Sequence, residues 1–523
     1  MKVPPVVGYF IAMLVVVTTW VVGIPRFASP DEPAHVYKAY GTAHGQLLGK
    51  AAPGFPDNLR EFDGPAALDL PDLGCYVGKP DVPASCASSG LPPLISSAAR
   101  YPPWYYGLVG LPVAASGKAD RVWPYRFVSA ILCVGLLALA MLVSKRSRRA
   151  DLVALQVVAF TPMALFLFAS VNPNAIEIAG FVAIWACLAR VITDEQLPRG
   201  LLILASCLSA AVVLMRPVSI VWMAGTVAVV LIGTSPRRRR ELLSRKLAAW
   251  IVGPTALALV GSWLWVLYSS FEVRDQRLLN SLSLGGALRQ SIDNWPRYFR
   301  ETIGVLGWLD TKLPSFVYAA WIAALVLVVV IHLRGATRRT FAALVALIVV
   351  WLALPLVING FTNSRAGLDF QGRYSLPIFV GVVFVPMFAV GSQRRMPRLS
   401  QRGLVAAALA LVLIGEVAAF WEMLRRFTVG ANGKIILTGP LSWKPALAPM
   451  PLVALNALAM IAVMWSAWHP WGQVEAATGE GHGEGAQHRP DRRRQAGGGL
   501  PALSGLHGDG DLGDAVPAAT SDE

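Results

Sequence analysis

Apolar runs of about 17–22 residues recur along most of this chain, separated by short polar breaks, and that is close to the length a helix needs to cross the hydrocarbon of a bilayer. Inside lipid no water is present to satisfy backbone N–H and C=O groups, so such runs must be helical. The pattern predicts about twelve spans, at 6–24, 123–144, 152–170, 175–192, 200–215, 218–234, 247–269, 316–333, 341–358, 374–391, 403–421 and 449–468. The first reads as a retained span, because its apolar core is long and no small-residue cleavage pattern follows it. The expected fold is therefore an all-α polytopic membrane protein with one large bundle over residues 1–470. Four longer stretches interrupt it, at 25–122, 270–315, 359–373 and 422–448.

The first of these stretches is rich in Pro and Gly and is expected to carry short helical pieces. Its segment 101–116 is apolar and aromatic but bounded by prolines and too short to span, which suits an interfacial or re-entrant helix. After His469 the character changes. Residues 471–523 lose nearly all large apolar side chains in favour of Gly, Ala, Asp and Arg, as expected of a disordered tail. The histidines there (His482, His488, His507) are irregularly spaced and do not read as a metal site.

Composition agrees with the pattern: 55% of the 523 residues are hydrophobic and only 15% charged, with a mean hydropathy of +0.53. The net charge of +15 does not call for nucleic acid. Basic clusters at Lys145 to Arg149, Arg237 to Arg240 with Arg245 and Lys246, Arg334 with Arg338 and Arg339, and Arg394-Arg395 with Arg398 and Arg402 fall in alternate loops. That is the positive-inside pattern, and it predicts both termini in the cytoplasm. The loops it places outside nevertheless also carry bases: Arg274, Arg277, Arg289, Arg297, Arg300, Arg373, Arg425, Arg426, Lys434 and Lys444. Topology does not account for these. They suit a surface that holds phosphate or pyrophosphate on a lipid, or one that rests on acidic headgroups. Of the five cysteines, Cys133, Cys187 and Cys207 lie in apolar spans as small core residues, while Cys75 and Cys86 in the first outside loop are expected to form a disulfide.

Chemistry concentrates at the loop ends of the spans. Ser29-Pro30-Asp31-Glu32-Pro33-Ala34-His35 follows the first span, on the outside. Ser29 can cap a helix, Pro30 suits its first position, and Glu32 completes a capping box, the structural reading for Glu32. Asp31 and His35 then share a helical face, so the carboxylate can act as a general base with the imidazole beside it. The same two side chains offer two ligands to a divalent cation, short of a complete metal site. Asn172-Pro173-Asn174 is a turn at a span end, with Glu177 just inside the next span, where an ionisable group needs a reason. Arg216 lies between two outside ends and can reach either headgroups or a lipid phosphate. Gln371-Gly372-Arg373-Tyr374 opens a span with a planar guanidinium suited to phosphate and an amphipathic ring. Residues 295–310 mix Trp295, Arg297, Tyr298, Arg300, Trp308 and Asp310, which suits sugar rings and phosphate, or a helix lying on the membrane. Walker A, dinucleotide Gly, Cys-x-x-Cys and Gly-x-Ser-x-Gly patterns are absent, which counts against a nucleotide-driven pump and a serine hydrolase.

An acidic pair after the first span, opening a long outside loop on a chain of about a dozen spans, resembles the GT-C superfamily of integral-membrane glycosyltransferases. More narrowly, the chain resembles the DUF2142 family of predicted bacterial membrane proteins. The pieces that carry the resemblance are Pro30-Asp31-Glu32-Pro33-Ala34-His35, Val171-Asn172-Pro173-Asn174-Ala175, Gly307-Trp308-Leu309-Asp310-Thr311 with Pro314, and Gln371-Gly372-Arg373-Tyr374-Ser375-Leu376-Pro377. The resemblance implies transfer of a sugar, outside a bacterial cell membrane, from a polyprenyl-phosphate-linked donor to a glycan or lipid acceptor. It implies Asp31 as the base on the acceptor hydroxyl, with Glu32 the alternate. Arg373 with Gln371, Arg216, Arg297, Arg300 and Arg426 would hold the donor phosphate. Asn172, Asn174, Glu177, Tyr374, Trp308 and Asp310 would line the substrate site. A flippase or exporter of a lipid-linked glycan would need a polar path through the bundle, for which span interiors offer chiefly Glu177 and Glu416. A glycan polymerase or ligase would keep the chemistry and enlarge the donor.

Overall fold

The computed structural model describes residues 5–469 apart from 56–58, 66–67, 69–72, 88–93, 118–120, 146–152, 270–281, 334–335, 363–369 and 390–397. The chain divides into a unit of residues 1–471 and a second of residues 472–523, and the second lies outside the described residues together with the predicted tail. So do Arg146, Arg148, Arg149, Arg274, Asp275, Arg277, Arg334, Asp369, Arg394 and Arg395.

Among the described residues nine stretches are long and apolar enough to cross a membrane. They are α1 (Pro5–Gly23), α4 (Trp123–Lys145), α6 (Pro173–Thr193), most of α10 (Arg245–Ser269), α13 (Ser315–Leu333), α14 (Arg338–Thr362), the broken stretch Gly372–Ala389, α17 (Arg398–Val429) and α18 (Pro449–Trp468). Two shorter apolar helices, α7 (Arg199–Met215) and α8 (Ser219–Gly233), fill two more of the predicted positions. The predicted span 152–170 is not a continuous helix. A 3₁₀ segment, Leu155–Ala159, is followed by the short α5 (Pro162–Phe168), because Pro162 lacks an N–H and starts a new helix capped by the Thr161 hydroxyl. The stretch Gly372–Ala389 is broken in the same way into a 3₁₀ turn Gly372–Ser375, α15 (Leu376–Phe379), α16 (Gly381–Phe384) and a second 3₁₀ turn. The broken segments are almost wholly buried within the protein, where irregular backbone is tolerated at membrane depth.

The bundle core centres on α6, buried on nearly every side and packed against α4 and α7. Its Trp185 indole donates to the Pro377 carbonyl at 3.2 Å, tying it to the broken stretch. The first loop holds α2 (Glu32–Ala43), α3 (Pro103–Ser116) and a small antiparallel sheet of β1 (Lys50–Ala51), β2 (Arg60–Phe62) and β3 (Leu94–Ser96), in that order, with Ala51 opposite Arg60 and Phe62 opposite Leu94. The connection between α8 and α10 contains α9 (Pro236–Leu242), and the second long loop contains α11 (Leu284–Asp293) and α12 (Trp295–Gly304). A hairpin of β4 (Val305–Leu306) and β5 (Thr311–Lys312) follows, so the all-α expectation gains two small sheets. Cys75 is bonded to Cys86. Cys133 and Cys187 are buried as expected, whereas Cys207 is exposed, on a side of α7 that faces away from the core.

Candidate active site

The loop between α1 and α2 carries its chemistry on strained backbone. Asp31 sits at the N-cap of α2 in the left-handed region, φ 62°, and its side chain makes no capping bond. Asp is among the few residues that tolerate this conformation, and strain of this kind persists only where the surroundings impose it. The carboxylate accepts from Nη2 of Arg373 at 2.6 Å; its own side chain is 43% exposed and that of Arg373 only 1%. Arg373 keeps Nε and Nη1 without an acceptor among the described residues, although both are buried. Nitrogens of a buried guanidinium that lack an acceptor make a ready seat for an anion.

Burial would raise the Asp31 carboxyl, but the charge and hydrogen bond of Arg373 outweigh it and hold the group below the ordinary carboxylate value. Asp31 is therefore ionised near neutrality, as a base requires, and half open to a substrate. One turn along, burial pushes His35 down to about 4, so the imidazole is neutral. Its Nδ1 lies 2.9 Å from the Tyr106 hydroxyl, and its ring stacks on Tyr106 with Tyr101 edge-on. Among the described residues no three His, Cys, Asp or Glu side chains gather to hold a metal.

Glu32 has a different fate from its neighbour. Helix α2 begins at Glu32 rather than at Pro30, the Ser29 hydroxyl has no hydrogen-bond partner among the described residues, and the capping box expected of these residues does not form. Glu32 is instead fully buried against Arg126 of α4, which donates from Nε at 2.7 Å and Nη2 at 2.6 Å. Arg126 also donates to the carbonyls of Val21, Ile24 and Pro25, and the Val171 N–H adds a bond to Glu32. This pair locks the end of α1, the start of α2 and the turn before α6 together, leaving Glu32 no free oxygen edge for proton transfer.

The Val171 to Ala175 motif supports the same loop. Asn172 caps α6 through the Asn174 N–H at 2.9 Å and donates to the Pro30 carbonyl at 3.3 Å, beside Asp31. Glu177 accepts from the Asn174 amide, the Ser219 hydroxyl and Nη1 of Arg216. Arg216, at the turn between α7 and α8, and Arg373 both lie against Tyr374, with guanidinium carbons 5.1 and 5.2 Å from its ring centroid. Arg216, Tyr374, Tyr101 and Trp222 are among the walls of a cavity of about 320 Å³.

Gly372 makes this approach possible. A Cβ there would stand 2.0 Å from the Tyr298 carbonyl, because the Gln371–Ser375 turn is laid directly on α12. Its N–H donates to Glu301 at 2.6 Å and its carbonyl accepts from Thr302 at 3.0 Å. Gly372→Ala is expected to push Arg373 away from Asp31 and to destabilise the protein by roughly 1–3 kcal/mol, read as a lowered melting temperature in detergent.

The remaining expected site residues fall elsewhere. Arg426, expected at a donor phosphate, is fully buried and donates to the carbonyls of Tyr76 and Val82 and to Asp310, so its guanidinium binds the disulfide loop to α17. Asp310 also accepts from the Gly78 N–H at 3.0 Å, and the Trp308 indole donates to the Phe27 carbonyl at 3.1 Å; both brace the first loop. Arg297 is half exposed and pairs with Glu301 at 3.5 Å, and Arg300 is exposed. Gln371 sits beside Arg373 with a buried Oε1 that has no hydrogen-bond partner among the described residues.

Three contributors escaped the sequence reading. Arg126 is an ionisable residue at the start of an apolar span, which alone signals a buried partner. Tyr106 carries no such signal. Lys38, one turn after His35 on α2, is buried with its ammonium on the carbonyls of Leu47 and Ala99, and burial brings it down to about 7.

The sequence model of the family described as "Predicted membrane protein (DUF2142)" matches residues 14–382. Among solved structures, the chain is similar to ArnT from Cupriavidus metallidurans in its apo state, at 14% identity and a TM-score of 0.41, covering 90% of this chain and 78% of that one. The same protein bound to undecaprenyl phosphate gives 14% identity and a TM-score of 0.42 over the same shares. No curated protein matches the chain.

Proposed function

We propose that this chain, which belongs to the DUF2142 family of membrane proteins, is an integral-membrane glycosyltransferase of the GT-C kind. It moves a sugar from a polyprenyl-phosphate-linked donor to a hydroxyl of an envelope glycan or lipid. The reaction takes place at the outer face of a bacterial cell membrane, with both termini in the cytoplasm. The observation that carries the reading is the half-exposed Asp31 carboxylate held by a buried Arg373 whose other two nitrogens lack acceptors, next to a second buried arginine and a cavity.

Asp31 takes the proton of the acceptor hydroxyl as its oxygen bonds to the anomeric carbon. The bond from that carbon to the phosphate oxygen breaks, and the polyprenyl phosphate leaves with the electron pair. Arg373 and Arg216 bind the donor phosphate and stabilise the charge that develops on it. Tyr101, Tyr374 and Trp222 offer flat apolar faces to a sugar or to the first isoprene unit.

The test supplies the purified protein, in liposomes, with radiolabelled sugar on polyprenyl phosphate and a crude envelope acceptor fraction. Label is expected to pass from lipid to acceptor. Arg373→Ala is expected to raise the donor KM by roughly 10–100-fold, the worth of a charge-assisted hydrogen bond. Label that crosses the bilayer while still on its lipid, with no new glycosidic bond, would replace the enzyme reading with a flippase.

A further inference from the structure

The two arginines beside Tyr374 are held differently. Arg373 leans on Asp31, which the proposed chemistry uses. Arg216 leans on Glu177, to which that chemistry assigns nothing. Glu177 is fully buried one turn into α6 and receives three donors: Nη1 of Arg216, the Ser219 hydroxyl at 2.5 Å and the Asn174 amide at 2.9 Å. These come from the start of α6 and from the turn between α7 and α8, so the carboxylate fixes that turn against α6. Arg216 in turn keeps a buried Nε with no acceptor among the described residues and lines the cavity together with Tyr374.

We infer that Glu177 is a positioning residue that holds Arg216 as the second phosphate arm of the site. With Glu177 in place two acids balance two arginines, each arginine has its own counter-ion, and the remaining N–H groups face the ligand. Without that charge Arg216 loses its anchor on α6, which removes the second arm. This inference rests on reading the site as one that holds a lipid phosphate.

The test uses the full chain in nanodiscs with undecaprenyl phosphate alone as probe, followed by transfer kinetics. Glu177→Gln keeps the shape and the Ser219 contact but loses the ion pair. It is expected to weaken undecaprenyl phosphate binding and raise donor KM by about tenfold, the equivalent of one charge-assisted hydrogen bond. Glu177→Asp, which keeps the charge, is expected to recover part of both. Because a buried acid is being removed, Ser219→Ala serves as the gentler variant: it withdraws one donor from Glu177 and is expected to raise donor KM about threefold with kcat unchanged. Binding by Glu177→Gln equal to wild type overturns the inference, and so does a fall in kcat with KM unchanged in Ser219→Ala. If Glu177→Gln does not fold, the Ser219→Ala result decides. A wild-type protein that binds no undecaprenyl phosphate removes the phosphate reading and this inference with it, whereas binding that is intact in wild type and variants alike removes the inference alone.

Discussion

Asp31→Asn is expected to reduce sugar transfer by roughly 10²–10⁴-fold, the usual worth of a positioned general base, while the protein remains folded. Asn is nearly isosteric and still offers an oxygen to Nη2 of Arg373, so the 2.6 Å contact has a replacement acceptor. The measurement is initial rate with radiolabelled donor, beside a melting curve in the same detergent. Full transfer by a folded Asp31→Asn variant would sink the assignment. The pH dependence gives a second, independent reading. The Asp31 carboxyl lies below its ordinary value because Arg373, with smaller contributions from His35 and Arg216, outweighs burial, so the base form persists above that lowered value and activity falls only as pH drops through it. In Arg373→Ala the burial remains and the largest opposing charge is gone, while His35 and Arg216 still act against it. The acid limb of the rate profile is then expected to move to higher pH. An unmoved limb would mean that another group sets it.

Arg126→Met is expected to be the most destabilising single change. It strands Glu32, which has no exposed surface and whose two oxygens both depend on that guanidinium. Removing one partner of a buried pair costs about 3–5 kcal/mol, because the surviving charge has neither water nor counter-ion. Three carbonyls at the end of α1 lose their donor at the same time. The expected outcome is loss of the monodisperse peak in size-exclusion chromatography. Glu32→Gln combined with Arg126→Met removes both charges and is expected to recover part of the loss. If the double variant is no better than the single one, the stranded charge is not the cause. Loss of transfer with normal stability in Glu32→Gln would instead return Glu32 to the chemistry.

The membrane class was legible early, since long apolar runs allow one backbone solution in lipid. The broken segments were less so. In 152–170 hydropathy is high throughout, yet Pro162 interrupts the ladder, and only the surrounding protein decides whether such a break is bent, capped or straightened. The site was legible in part. Motif order pointed to Asp31, Arg373, Tyr374 and Asn172, and the structure brings these together. Arg426, expected in the loop 422–448, lies in the last turn of α17, and a base there looks the same in sequence whether its acceptors are phosphates or carbonyls. Its partners, Tyr76, Val82 and Asp310, lie in other loops and came near only on folding.

Asp31 and Glu32 show where each kind of information stops. By itself the sequence determines that two carboxylates directly follow the first apolar span. It determines that they are adjacent and chemically alike. It does not determine which is free. The tertiary structure does so by supplying each with a different arginine: Arg126, 94 positions along the chain, encloses Glu32 with no exposed surface left, while Arg373, 342 positions away, grips Asp31 by one nitrogen and leaves it half open. The cost of burying a charge depends on what is already paired with it, and those partners are assembled only by the packing of α1, α2, α4 and the Gln371–Ser375 turn.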